Sequence, residues 1–166
     1  MAEQSNLSEH LWLLDGLEDF RQHSLELVTH NRRSLAILTR NLDALVYGTP
    51  AFAESISMFS RSSRHAQVQI LIKDTKPAIE SGHLLIRLAQ RLPSKILVRK
   101  MTLEPNNKAM AFMLGDSDKL LYKNEDSVYR GFFNRAAARE IKPLREEFNY
   151  LWQYAEPEPE FQVLHI

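Results

Sequence analysis

No cysteine occurs among the 166 residues. Disulfides, thiolate nucleophiles and Cys-based zinc or iron–sulfur sites are therefore excluded. The absence fits a reducing compartment. Glycine is also scarce, at five residues. Neither G-x-x-x-x-G-K-[ST] nor G-x-G-x-x-G is present, so the known phosphate-cradling loops are missing. There is no G-x-S-x-G elbow for a nucleophilic serine. No apolar run approaches the ~18 residues a membrane span needs. Met1–His10 is polar and acidic rather than a signal sequence. Net charge is zero, so bulk charge argues for neither nucleic acid nor membrane. A cytoplasmic protein is the expectation.

The length suits one domain with a substantial core. Charge is unevenly spread. Residues 1–20 carry five acids and no Lys or Arg; residues 21–100 carry thirteen bases and five acids; residues 101–166 carry eight bases and eleven acids. The basic middle either is neutralised by the acidic ends in the fold or leaves one basic face for an anionic partner.

Hydrophobic periodicity predicts the elements. Residues 1–10 read as a disordered lead. Leu11–Leu14 is a short strand or a buried anchor. Leu17–Asn31 is an amphipathic helix with acids at its start. Ser34–Arg40, Val68–Lys73 and Lys95–Met101 are compact strands. Pro50–Phe59 is a helix with Thr49 as N-cap and Pro50 in the favoured first position. A further helix runs from about Ala78 to Leu92 and stops at Pro93. Residues 109–123 form a hairpin around the turn Gly115–Lys119. Ala136–Tyr154 is the last helix, with Pro143 predicting a kink or a later start. Residues 156–166 read as an exposed tail, leaving one domain over 11–155.

Strands alternating with helices predict an α/β layered domain, with a mixed, mostly parallel sheet flanked by helices. That order, the strands ending at Arg40–Asn41 and Lys73–Asp74, the pair AFMLGD and LLYKN, and the closing FNYLW resemble one half of the phospholipase D superfamily fold. The segments LTRNLDALVYGTPAF, SGHLLIRLAQRLPSKILVRK and EEFNYLW are also similar to a bacterial domain of unknown function, sometimes found behind a GNAT acetyltransferase domain. Active phospholipase D-like enzymes carry His, any residue, Lys, four residues, then Asp. Aligning that acid with Asp116 places Ala111 at the Lys position and Ala109 at the His position. The resemblance thus implies a catalytic scaffold without its nucleophile, with Asp116 kept as a turn residue. Because active relatives join two half-folds around one site, it also implies a homodimer.

Open α/β sheets bind ligands at strand C-terminal ends. Arg40, Asn41, Lys73, Asp74, His83 and Arg99 are the candidate anion-binding residues there, with Arg40 and Arg99 foremost because guanidinium grips an anion bidentately. The leading expectation is a non-catalytic domain that binds a phosphate-bearing ligand or a partner protein. The alternatives are a phosphodiesterase-type site relocated around His83, Asp74 and Arg99, and a nucleic-acid-binding module. Arg32, Arg33, Arg61, Arg64, Arg87 and Arg91 add positive charge, with few aromatic residues among them. The histidines show no metal-ligand spacing, and neither metal nor cofactor is expected.

Overall fold

The computed structural model describes residues 9–161. The lead and the last five residues of the tail lie largely outside that range. Among the described residues, seven strands form one sheet: β1 (Leu11–Asp15), β2 (Ser34–Thr39), β3 (Gln67–Ile72), β4 (Ile96–Lys100), β5 (Ala111–Gly115), β6 (Lys119–Lys123) and β7 (Arg130–Asn134). Their spatial order is β1-β7-β6-β5-β2-β3-β4.

The α/β class holds, but the sheet is mostly antiparallel, which corrects the expectation. Only the β2–β3 and β3–β4 pairs are parallel; the other four pairs are antiparallel. Parallel neighbours need a crossover, and helices supply one between β2 and β3 and between β3 and β4. No helix lies between β4 and β7, so the chain reverses at each step there.

The helices are α1 (Leu17–Thr29), α2 (Ala44–Tyr47), α3 (Pro50–Arg61), α4 (Lys76–Ser81), α5 (Leu84–Arg91) and α6 (Ala138–Tyr154). Residues of α1 to α5 pack with Leu35, Ile37, Val68, Ile70 and Phe133 in one core. On the other sheet face, α6 covers Ala36, Leu38, Leu71, Phe112 and Leu120 with Ile141, Phe148 and Leu151. Burial on both faces explains why β2 and β3 read as near-continuous apolar runs. Thr49 caps α3 through the Phe52 N–H, as its sequence position predicts.

The single helix expected over 78–92 is two. Gly82 adopts the left-handed region (φ 61°), and His83 starts α5 as its N-cap. α6 starts at Ala138 and runs through Pro143. The tail expected to be exposed is tied down. Glu156 bridges to Lys100 on the outer edge of β4, Glu158 accepts from Thr75, and Phe161 is buried in the first core.

β7 is an element that sequence periodicity did not reveal. Gly131 is required in it, because a Cβ there would collide with the Tyr122 carbonyl oxygen on β6.

Candidate functional site

β2 and β3 end on the same side of the sheet. β5 runs antiparallel to β2, with Leu38 opposite Phe112, so its start lies beside the end of β2. Three chain segments therefore meet: the loop after β2, the loop after β3, and residues 104–110 before β5. Between them is a small crevice of about 10 Å³, lined in part by Thr39, Arg40, Lys73, Glu104, Lys108 and Met110. Its size suits one water-sized group.

Lys73 Nζ lies 2.6 Å from Glu104 Oε1. That hydrogen bond holds the Glu104 carboxyl below its ordinary range, assisted by the charges of Lys73, Lys108 and Arg40. One carboxylate thus sits in the field of three cations. Lys108 and Met110, either side of Ala109, line this crevice just before β5 begins at Ala111.

The loop that presents Arg40 and Asn41 is held from several sides. The Arg40 N–H donates to Asp126 Oδ2 at 3.0 Å. The Leu42 N–H donates to Thr39 Oγ1, and the Leu42 carbonyl accepts from His83 Nε2 at 3.0 Å. Asp43 caps α2 through the Leu45 N–H and accepts from the Tyr129 hydroxyl. Leu42 itself is buried with φ 57°. A left-handed leucine costs about 1–2 kcal/mol. Such strain persists where surrounding contacts fix it.

Beneath the loop, buried Lys123 donates to the Asp126 carbonyl at 2.6 Å and pairs with its carboxylate at 3.8 Å. Its ammonium also lies 4.6 Å from the centre of the Tyr129 ring. Burial pushes the Lys123 ammonium down and the Asp126 carboxyl up, each opposed by the other's charge. Tyr129 is pushed up to about 12 by burial and by Asp43; burial raises Tyr47 further still.

The six sequence-derived candidates do not all converge. Arg40 and Lys73 line the same crevice, and Asn41 is exposed beside Arg40. Asp74 is exposed, and its carboxylate accepts from the Lys76 N–H. Arg99 is elsewhere, on the α6 side. Its guanidinium stacks 4.4 Å above the Trp152 ring and donates to the Trp152 carbonyl. The expectation that Arg99 joins Arg40 is corrected: along β4 it alternates onto the face that α6 covers.

His83 is corrected likewise. It is buried, with Nε2 donating to Leu42 and Nδ1 accepting from the Leu85 N–H. Both ring nitrogens serve the fold, and His83, Asp74 and Arg99 do not form a shared constellation. Burial lowers the His83 pKa, opposed by its bond to Leu42 and by Asp43. The folded pKa is therefore below the unfolded one. The stabilising contribution is present above about pH 6.5 and is lost as pH falls through the folded pKa. His83→Asn keeps an N-cap acceptor. The difference in unfolding free energy between wild type and this variant should shrink below pH 6.5 in urea titrations. A constant difference from pH 8 to 5 would refute the assignment.

Asp116 also has a structural role. Its carboxylate accepts from the backbone N–H groups of Arg32, Arg33 and Ser34, at 3.0, 2.8 and 3.2 Å. Its carbonyl accepts from Arg145. Burial opposes its ionisation, but these donors and Lys119 outweigh it and hold the carboxyl below its ordinary value.

Sequence reasoning missed Glu104 and Lys108 as crevice residues. Their signal was the polar segment Glu104–Lys108, with a charge at each end, just before Ala109. A larger groove of about 640 Å³ runs between α3, α4 and α5, with Ile79, Leu88, Arg91 and Phe161 among its walls. Among the described residues, no group of three His, Asp or Glu side chains could hold a metal, and no helix is long and apolar enough to cross a membrane.

Solved structures that share this architecture include the following two. TrmBL2, an archaeal chromatin protein with a novel mode of DNA binding, superposes with a TM-score of 0.65 at 14% identity over 92% of this chain. The chain spans 55% of the length of TrmBL2. NucT from Helicobacter pylori superposes with a TM-score of 0.58 at 12% identity, covering 89% of this chain and 97% of NucT. At these identities the likeness is one of fold: a mixed α/β sheet flanked by helices. No curated protein matches in sequence. The model of a domain of unknown function, DUF7931, matches residues 16–164, and the chain belongs to that family.

Proposed function

We propose that this domain binds nucleic acid at a backbone phosphate without cleaving it, using Arg40, Lys73 and Lys108. The observation that carries this reading is the convergence of those three cations on one carboxylate, Glu104. A phosphate oxygen has the charge and acceptor geometry to replace that carboxylate. The strained, cross-braced loop that holds Arg40 supports the reading, because a preformed site loses less entropy on binding. TrmBL2, with the same fold, binds DNA. Ala109 and Ala111 offer neither a nucleophile nor a charge for phosphoryl transfer.

Fluorescence anisotropy with labelled 20-residue oligonucleotides, from 50 to 200 mM salt, tests this. Arg40→Ala/Lys108→Ala should weaken binding about tenfold and reduce the salt slope by about 1–2, because each phosphate contact contributes ~0.9. Glu104→Gln should tighten binding by removing the competing charge. Unchanged affinity in the double variant would overturn the site. Cleavage of the oligonucleotide by purified wild type would overturn the non-catalytic part.

A further inference from the structure

The opposite end of the sheet carries a different feature. β2, β3 and β4 are adjacent and parallel, so the segments that precede them lie side by side. These are HNRR before β2, RSSRHA before β3 and RLPSK before β4. The fold ties them together. The Gln67 N–H donates to the Arg33 carbonyl at 3.0 Å, the Val68 N–H to the Lys95 carbonyl at 2.8 Å, and Lys95 Nζ to the Ser63 carbonyl at 2.8 Å. Arg32, Arg33, Arg61, Arg64, Arg91 and Lys95 therefore occupy one contiguous rim.

Five of the six are exposed, and among the described residues none of the six forms an ion pair with a carboxylate. Two acids of the β5–β6 turn beside the rim are already engaged. Asp116 accepts three backbone N–H groups, and Asp118 pairs with Lys119. The chain is neutral as a whole, so the charge concentrated here is local rather than a reflection of composition.

We infer that this rim is a docking surface for the phosphate backbone of a nucleic-acid duplex. Three adjacent strands span about 10 Å. A duplex strand presents one phosphate per ~3.4 Å of axis, so the rim faces about three. The three segments contain no Phe, Tyr or Trp, so stacking of unpaired bases has no platform. None of the exposed large hydrophobic residues lies in these loops, so there is no wedge to enter a lipid surface. A polyanion read through its phosphates alone fits these properties. The inference rests on the nucleic-acid reading above but uses none of the crevice residues.

The test replaces Arg32, Arg33, Arg61 and Arg64 together by alanine. Arg32 and Arg33 contribute only backbone N–H groups to the Asp116 clasp, so the fold does not depend on their side chains. Duplex affinity by anisotropy should fall at least about tenfold, and the log–log salt slope by about 2–3. Arg61 gives up one exposed bond, from its Nε to the Ser57 carbonyl, so the thermal unfolding temperature should fall only slightly. Arg40→Ala/Lys108→Ala, run in parallel, separates the two surfaces. Loss only in the rim variant supports this inference and overturns the crevice site. Loss only in the crevice variant overturns this inference alone. Absence of duplex binding by wild type overturns it too, as does a rim variant that loses affinity for phosphatidylserine vesicles but not for duplex.

Discussion

Lys123→Met should lower the unfolding free energy by about 3–5 kcal/mol, the usual cost of leaving one member of a buried ion pair alone. Lys123 and Asp126 have side chains only 6% and 9% accessible. Without the ammonium, the Asp126 carboxylate keeps the Arg40 N–H and loses its counter-charge, with Asp43 nearby as a second negative group. The double variant Lys123→Met/Asp126→Asn should recover part of the loss. The amide oxygen it introduces can still accept from the Arg40 N–H, and no buried charge remains. Urea unfolding of the two single variants and the double variant gives the coupling directly. A loss below about 1 kcal/mol in Lys123→Met would show that water reaches Asp126 and that the pair does not anchor the loop. The loop is what positions Arg40, so oligonucleotide affinity should fall with the stability of this pair.

Asp116→Ala should cost about 2–4 kcal/mol. Three backbone donors lose a charged acceptor, one of them on partly buried Ser34. The residue also has φ 49°, which alanine tolerates poorly and asparagine tolerates well. Asp116→Asn keeps one acceptor oxygen and should cost about half as much. The folded pKa is depressed, so the stabilising contribution is present above the unfolded value, near 3.9, and is lost as pH falls through the folded pKa. Thermal unfolding of wild type and Asp116→Ala should therefore converge toward pH 2 and separate fully by pH 6. Equal melting temperatures at pH 6 would mean that Asp116 does not hold the fold. Oligonucleotide binding at the crevice should survive the substitution, since the clasp lies at the opposite end of β5.

The architecture was legible where the chemistry of one residue or run was sufficient. The apolar runs of β2 and β3 identify doubly covered strands. Thr49 and Pro50 mark the start of α3, and the Gly-Asp-Ser turn marks the β5–β6 hairpin. β7 escaped because Phe132 and Phe133 are adjacent and enter opposite cores, which erases alternation over a five-residue run. The mostly parallel expectation failed because alternation in the first half of the chain says nothing about where β5 inserts. It enters beside β2, not beyond β4, a choice made by long-range packing. At the site, Arg40 and Lys73 were visible as strand-end cations. Arg99 was misplaced by one fact: its strand register turns it toward Trp152. His83 looked reactive beside Ser81 and Gly82, yet helix capping and burial use both of its nitrogens. Glu104 stood in a polar segment visible in the sequence, but its partner Lys73 is revealed only when the loop folds back.

The placement of β7 between β1 and β6 has a consequence for synthesis. Leu11 pairs with Asn134, and among the described residues β1 has no other strand neighbour. The first of the seven strands to leave the ribosome must therefore wait until almost the entire sheet has emerged. Until then Trp12 lacks its cover of Phe133 and the hydrogen-bonding edge beside it is open. Closure of this longest-range pairing is the entropically costly step, and it comes last. A nascent chain halted at residue 125 carries the three parallel strands and the hairpin. Its β1 segment has no partner, and that is where a holdase chaperone would engage it.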